Sequence, residues 1–148
     1  MNKKDFVDYL NGIFKKYGYI RKKSKFWVQE TDDLIKIIHL QKSQFSNKYY
    51  LNFGFVLKNL DIQDTAMHIY NRLGDNTPNH NQRIQELLDM ETNIEDGKRK
   101  FELEYYIKNN LLSKLSMVNS EQDLLEYLKG KPHLNDVPLV VKKYFHLI

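Results

Sequence analysis

The fold is decided by the stretch Ile35–Leu57, IKIIHLQKSQFSNKYYLNFGFVL, because it contains two runs in which alternate residues are apolar. Side chains on a strand point to opposite faces with a period of two residues, so each run predicts a strand with two different faces. A two-residue turn at Ser46-Asn47 would join the two strands as a hairpin. The predicted cross-strand pairs are Leu40 with Phe53, Ile38 with Phe55, and Gln41 with Asn52.

Composition limits the class of protein. The 148 residues are 41% hydrophobic and 28% charged, as in an ordinary globular protein, and none is cysteine. Disulfides and cysteine-based metal sites are thereby excluded, and a reducing compartment is expected. No apolar run follows the basic N-terminus, and none approaches the length of about 20 residues that spans a membrane. We therefore expect a cytoplasmic protein without membrane contact.

The rest of the chain predicts one strand before the hairpin, one ambiguous segment after it, and several helices. Apolar residues at helical spacing predict a first helix over residues 3–17, ended by Gly18. Residues 26–29 read as a strand that turns at residues 31–33 and places Trp27 on the Ile38 face. The segment Ala66–Leu73 fits either a strand or a helix, and its early end at Gly74 favours a strand.

Helical patterns dominate the second half. They indicate a short helix after Asn79, a longer one over about residues 98–116, one that opens at Ser120, and a last one at Pro138. We therefore predict a single α+β domain over residues 1–148. Its parts are an N-terminal helix, an antiparallel sheet of about four strands, and a helical C-terminal half. The sheet core falls at about residues 1–74 and the helical part at about residues 80–148.

A basic run lies between the first helix and the first strand. From residue 15 to residue 25 the chain carries six cations and no acid. They are Lys15, Lys16, Arg21, Lys22, Lys23 and Lys25. This run has two interpretations, a phosphate-binding patch interleaved with aromatic residues or a helix end followed by a solvated turn. Later acidic residues reduce the net charge to +4, and no nucleic-acid motif accompanies the run, which favours the solvated turn.

Polar side chains form the one candidate site. Strand alternation predicts that Gln41, Asn52, His68 and Arg72 share the less apolar sheet face. Two amides, an imidazole and a guanidinium offer many directional hydrogen bonds to a carboxylate, a phosphate or a partner's backbone. The same four groups could instead satisfy one another as a polar network that fixes strand register. The sequence leaves both interpretations open.

Several segments, in this order, resemble a known family. A helix ends in Tyr17-Gly18-Tyr19 and precedes a basic turn and a strand with Trp27. The next elements are the segments 37–43 (IIHLQKS), 50–54 (YLNFG) and 68–72 (HIYNR). This order is similar to the bacterial family called domain of unknown function 4304, over roughly residues 1–130. The resemblance implies an α+β fold. Small proteins of this kind are often suspected of being immunity or accessory proteins encoded near secreted toxins.

Catalytic signatures are missing. The sequence has no phosphate-binding loop, no dinucleotide-binding glycine motif and no nucleophile elbow, so we expect no cofactor. The five histidines are scattered, so we expect no metal site. The leading hypothesis is a non-enzymatic protein that binds a protein partner such as a toxin. The alternatives are an enzyme or ligand sensor that uses Gln41, Asn52, His68 and Arg72, and a weak nucleic-acid binder that uses the Lys15–Lys25 run.

Overall fold

The computed structural model describes residues 1–61 and 67–148. Among them it has a five-stranded, fully antiparallel sheet in which each strand pairs with the next one along the chain. The strands are β1 (Ile20–Lys22), β2 (Phe26–Glu30), β3 (Leu34–Lys42), β4 (Tyr49–Leu57) and β5 (Ile69–Arg72). The helices are α1 (Lys3–Lys16), α2 (Pro78–Leu87), α3 (Asp96–Ile107), α4 (Ser113–Ser116), α5 (Glu121–Lys129) and α6 (Leu139–Tyr144). The α+β class, the N-terminal helix and the helical second half are confirmed.

Helix α1 forms where the sequence predicts it. The side chain of Asn2 accepts a hydrogen bond from the backbone N–H of Asp5 at 2.8 Å, which caps the first turn. Gly18 follows the helix with φ +89°, a left-handed conformation that favours glycine. The apolar side of α1, with Phe6, Leu10 and Phe14 fully buried, is therefore held against the sheet by a cap at its start and a tight exit at its end.

One face of the sheet carries the core. The ring of Phe6 in α1 lies 5.2 Å from that of Tyr49, and the ring of Phe14 lies 5.0 Å from that of Trp27. From the C-terminal half, Tyr127 of α5 packs edge-on against Phe55, with 6.2 Å between ring centroids. These sheet residues alternate along their strands on one side, so the helices cover that side. The opposite side, which we call the open face, has half-buried or exposed side chains on β2 and β3.

The central hairpin differs from the prediction in register. Its strands are joined by the six residues 43–48, whereas a two-residue turn was expected. The observed pairs are Ile38 with Phe53, Leu40 with Leu51, His39 with Asn52, and Gln41 with Tyr50. The predicted pairing was therefore wrong by two positions, because the longer loop moves the turn toward β3. A slip of two residues keeps every side chain on its predicted face, since the side-chain period is also two.

Four further elements correct or refine the prediction. The sheet has five strands because the exposed segment Ile20–Lys22, expected in a turn, pairs with β2. The ambiguous segment forms strand β5, as favoured, although Ala66 lies outside the described residues. Helix α2 begins at Pro78 with Thr77 as its cap residue, two residues earlier than the predicted cap residue Asn79. The predicted helix over 98–116 is α3 and α4 joined by a π-helical turn at Lys108–Leu112.

Arg99 fastens the helical half to the end of α2. Its side chain is 1% exposed, and its guanidinium donates to the carbonyl oxygens of Leu87 at 2.6 Å and Thr92 at 2.8 Å. It also donates to the carbonyls of Glu86 and Asp89, at 3.3 and 3.1 Å. Carbonyl groups at a helix C-terminus carry partial negative charge, so a buried cation is stabilised there. No helix within the described ranges is long and apolar enough to cross a membrane.

Gly54 allows β5 to lie close to β4. Gly54 pairs with Tyr70, and a Cβ atom at position 54 would collide with the backbone carbonyl oxygen of Ile69. The sulfur of Met67 would lie 2.7 Å from the same Cβ. Only glycine fits beneath this backbone crossing. The close approach of the two strands also sets the position of Arg72, which is paired with Asn52 in the same ladder.

Candidate functional site

The strand register arranges the open face in two rows that cross all five strands. Residues that are paired across strands lie on the same face of a sheet, so each row can be read from the pairing. The apolar row is Ile20, Val28, Ile37, Gly54 and Tyr70. The polar row is Lys22, Phe26, His39, Asn52 and Arg72. The face therefore combines a hydrophobic strip with a polar strip that has a cation at each end.

Asn52 is the centre of a hydrogen-bonded cluster on this face. Its carbonyl oxygen accepts from the hydroxyl of Tyr70 at 2.7 Å and from Nε of Arg72 at 3.0 Å. Its amide nitrogen donates to the side-chain oxygen of Gln41 at 2.9 Å and lies 3.5 Å from Nδ1 of His39. Asn52 is only 1% exposed, so these neighbours are what satisfies its polar atoms. We call Gln41, Asn52, Tyr70 and Arg72 the Asn52 cluster.

The guanidinium of Arg72 is held in one plane by the cluster. Its Nη2 donates to Gln41 at 3.1 Å and to the hydroxyl of Tyr70 at 3.0 Å, in addition to the Nε bond to Asn52. Its central carbon lies 4.2 Å from the ring centroid of Tyr50, a cation–π distance. Within residues 1–61 and 67–148, no carboxylate lies at ion-pair distance from Arg72. A fixed guanidinium with an uncompensated charge is a ready partner for a carboxylate or a phosphate.

Arg72 is also accessible from two cavities beside the cluster. One, of about 410 Å³, lies toward α2 and includes Lys48 and Gln85 in its lining. The other, of about 600 Å³, is lined mainly by polar side chains, among them Asn109 and Asn110. A ligand group can therefore approach the guanidinium from the end of the sheet as well as from the open face.

The imidazole of His39 lies at the edge of the Asn52 cluster. It stacks on Phe26 with 4.4 Å between ring centroids and an interplanar angle of 12°. Burial lowers the pKa of His39, and the nearby charge of Lys25 lowers it further. The ring is therefore held as neutral imidazole at neutral pH, and it contributes an acceptor or a donor to the face rather than a charge.

Comparison with known proteins places these features in a family. The family model described as Domain of unknown function (DUF4304) matches residues 10–127, which is most of the chain. The chain belongs to this family. No curated protein and no solved structure gave a match. In this DUF4304 protein the matched range contains the whole Asn52 cluster, whereas α6 lies beyond it.

His68 is the one predicted member that the DUF4304 fold does not bring into the cluster. It follows the alternation that places it on the same side as Arg72, but its ring is 2% exposed and turns to the backbone. Nδ1 accepts a hydrogen bond from the backbone N–H of Leu57 at 2.9 Å, and Nε2 lies 3.0 Å from the carbonyl oxygen of Asp61. His68 thus fastens the end of β4 to the segment after it. Gln41, Asn52 and Arg72 do converge.

The six cations of the basic run do not form one stripe. Lys15 and Lys16 are exposed in the last turn of α1, and Lys22 points to the open face beside Phe26. Lys23 occupies the turn between β1 and β2 with φ 52°. Arg21 and Lys25 are the two that line a groove on the α1 side of the sheet. The run is therefore divided between both sides of the protein, which weakens its interpretation as a single nucleic-acid surface.

The predicted site did not include Tyr70, Tyr50 or His39, although alternation places His39 on the face of Gln41 and Asn52, and Tyr70 on the face of His68 and Arg72. A signal for them was present, because Tyr70 lies between His68 and Arg72 in the same alternation and Tyr50 alternates with Asn52. A tyrosine hydroxyl in such a position usually finds a hydrogen-bond partner. In the described part of this DUF4304 protein, no group of three or more His, Cys, Asp or Glu side chains could hold a metal ion.

Proposed function

We propose that this protein is a non-enzymatic binding protein that engages a partner protein through the open face, with Arg72 as the ionic contact. An immunity protein that binds a toxin is one protein of this type. The single observation that carries the proposal is how the side chain of Arg72 is held. Four contacts fix its guanidinium, yet none of them is to a carboxylate. An arginine prepared in this way suits an aspartate or glutamate on a partner.

The apolar row supports a protein partner over a small ion. Ile20 is 64% exposed and Tyr70 is 47% exposed at the two ends of this row, and Val28 and Ile37 are half-buried between them. Protein interfaces combine an apolar centre with polar contacts, and tyrosine and arginine are enriched in them. The two rows of the open face supply both components side by side. The proposed partner therefore presents an acidic side chain next to an apolar patch.

The enzyme alternative is less well supported by the geometry. It needs a concave pocket over His68 and Arg72 together, and the ring of His68 is occupied by backbone groups of Leu57 and Asp61. The remaining members, Gln41, Asn52 and Arg72, bind and orient but supply no general acid or base near neutral pH. Recognition by hydrogen bonds is what the cluster is equipped to do.

Photocrosslinking in the cells that naturally make the protein tests this proposal directly. A benzoylphenylalanine at position 28, between Ile20 and Ile37 in the apolar row, would report proteins that touch this row. We expect a discrete adduct that is lost in Arg72→Gln, which removes the charge and keeps an amide donor. A charge-assisted hydrogen bond contributes about 1.5–3 kcal/mol, so binding should weaken about 10- to 150-fold.

The matched control is Lys98→Gln, which removes one exposed charge from α3 on the helical side. This variant should give the same adduct as the unmodified sequence. An adduct of equal yield in Arg72→Gln, or no adduct at position 28, would reject the proposal. If the crosslinked protein is the product of a neighbouring toxin gene, protection of growing cells should likewise be lost with Arg72→Gln and kept with Lys98→Gln.

A further inference from the structure

A groove of about 610 Å³ opens beside α1, on the side of the sheet opposite the open face. This volume lies in the range of small-molecule sites. The cations that line it come from α1, from β1, from the β1–β2 turn and from the end of β3: Lys3, Lys4, Arg21, Lys25 and Lys42. The one carboxylate in the lining is Asp8, which lies 3.5 Å from the ammonium of Lys4. The groove therefore has a strong excess of positive charge.

The floor of the groove is apolar. It includes Val7, Leu40 and Tyr49, which are 8%, 3% and 3% exposed. The ring of Tyr49 packs against that of Phe6, so this part of the floor is fixed by the core itself. A cationic rim over an apolar floor matches a ligand that has an anionic head and a hydrophobic or aromatic body.

Tyr49 also contributes an unpartnered polar group. Its side chain is more than nine-tenths buried, yet its hydroxyl makes no hydrogen bond within the described residues. Among the described residues, the side-chain polar atoms that are both enclosed and unpaired are Nδ2 of Asn71 and Nε of Arg99. The hydroxyl of Tyr49 is not one of them, so it retains contact with the solvent of the groove. Burial raises the pKa of Tyr49, so the phenol keeps its proton and is available as a donor.

Two of the rim cations are held in place by neutral groups. Arg21 donates to the carbonyl oxygen of Ser24 at 2.9 and 3.3 Å, and Lys42 donates to the carbonyl oxygen of Ser46 at 3.1 Å. A carbonyl orients the cation without neutralising it. The rim therefore presents fixed positive charge from β1 and from the adjacent end of β3, where it can be shared by one multivalent anion.

We infer that this groove binds a small organic phosphate ester. The phosphate would lie on the rim near Arg21, Lys25 and Lys42, and the organic part would cover the floor and reach the hydroxyl of Tyr49. A phosphate monoester is favoured over a carboxylate because a dianion matches a rim with several cations. A single compact groove suits a small ester better than a polynucleotide, because the other cations of the basic run do not line it. This inference is independent of the open face and of the function proposed for it.

Three probes separate the head group from the body: phenyl phosphate, phenol and inorganic phosphate. Each would be titrated into the full-length protein and followed by calorimetry and by amide chemical shifts. We expect saturable binding of phenyl phosphate with a dissociation constant below about 1 mM, and shifts at residues that line the groove. Inorganic phosphate and phenol should each bind at least about tenfold more weakly, because each lacks one half of the recognition.

Paired variants locate the site. Arg21→Gln with Lys42→Gln should weaken phenyl phosphate at least about tenfold, whereas Lys22→Gln with Lys23→Gln removes the same charge outside the groove and should change it less than about twofold. Tyr49→Phe keeps the ring on Phe6 and removes only the hydroxyl. It should weaken binding about two- to tenfold without lowering the melting temperature.

Four outcomes would overturn the inference. One is no saturable binding of phenyl phosphate up to about 10 mM. Another is equal binding of inorganic phosphate, which would reduce the groove to a general anion site. Equal weakening by the control pair would assign the effect to overall charge. A twelve-nucleotide single strand that competes far better, with a steep dependence on salt, would make a polynucleotide the source of the phosphate.

Discussion

Gly54→Ala is expected to separate β5 from β4. The added Cβ would collide with the carbonyl oxygen of Ile69 and lie 2.8 Å from the carbonyl carbon. Both atoms belong to the backbone, so no side-chain rotation relieves the clash, and the strand itself must move. The movement would disrupt a ladder of only four residue pairs, from Asn52–Arg72 to Phe55–Ile69.

The expected loss of stability follows from the kind of atoms that the added Cβ would meet. Overpacking a core costs about 1–3 kcal/mol when side chains can adjust, so a clash with backbone should cost at least about 3 kcal/mol. For a chain of about 150 residues this corresponds to a fall in melting temperature of roughly 6–12 °C. Because Arg72 is paired in the same ladder, its hydrogen bonds to Asn52 should weaken together with the fold.

Gly12→Ala is the matched control. Gly12 is exposed within α1, and a Cβ there would meet nothing within 4 Å. Replacing a glycine by alanine inside a helix stabilises by about 0.5–1 kcal/mol. The same chemical change should therefore have opposite effects at the two positions in urea unfolding and thermal melts. A Gly54→Ala protein with the stability of the unmodified chain would refute the close approach of β4 and β5.

Three further variants test other parts of the structure, each by urea unfolding. Asn52→Ala should cost about 1–3 kcal/mol, because Arg72 and its neighbours lose their common acceptor, and an unchanged midpoint would show that the cluster does not stabilise the fold. Arg99→Met should cost about 3 kcal/mol or more, because the carbonyl groups at the end of α2 lose a buried cation; a loss below 1 kcal/mol would contradict that role. Lys36→Met tests a pH dependence. Burial lowers the pKa of Lys36 in the folded protein, so the unfolded chain binds the proton of this lysine more tightly. The unmodified protein should therefore gain stability relative to the variant as pH rises toward 10.5. A difference in stability that does not change with pH would contradict this prediction.

The sequence specified faces better than it specified pairing. Alternation assigned Gln41, Asn52 and Arg72 to one side correctly even though the predicted register was displaced by two residues. The length of the loop between β3 and β4 could not be predicted, because Ser46-Asn47 has the composition of a tight turn. The observed loop is fixed by contacts with residues much later in the chain. Lys48 at its end forms a bridge with Asp89, a residue that local pattern cannot connect to it.

The parts that sequence could not supply depend on backbone groups. His68 turns away from the cluster because the backbone N–H of Leu57 lacks a strand partner there and donates to the His68 ring instead. The alternation of residues in the sequence does not show which backbone groups lack a partner. Arg99 reads as an ordinary helix-surface cation, yet it is almost fully buried because it lies against the carbonyl end of α2. Strand β1 was not predicted because all three of its residues are exposed, so its sequence shows no alternation of buried and exposed residues.

The short outer strands determine how another protein can approach this sheet. The two edges are formed by β1, with three residues, and β5, with four. A strand added by another chain needs a long row of free backbone N–H and C=O groups, and such short edges with Arg21, Lys22 and Arg72 on them offer a poor template. Sheet extension and the aggregation that accompanies it are thereby discouraged at both sides. A protein that docks on the sheet must instead recognise the identities of its side chains.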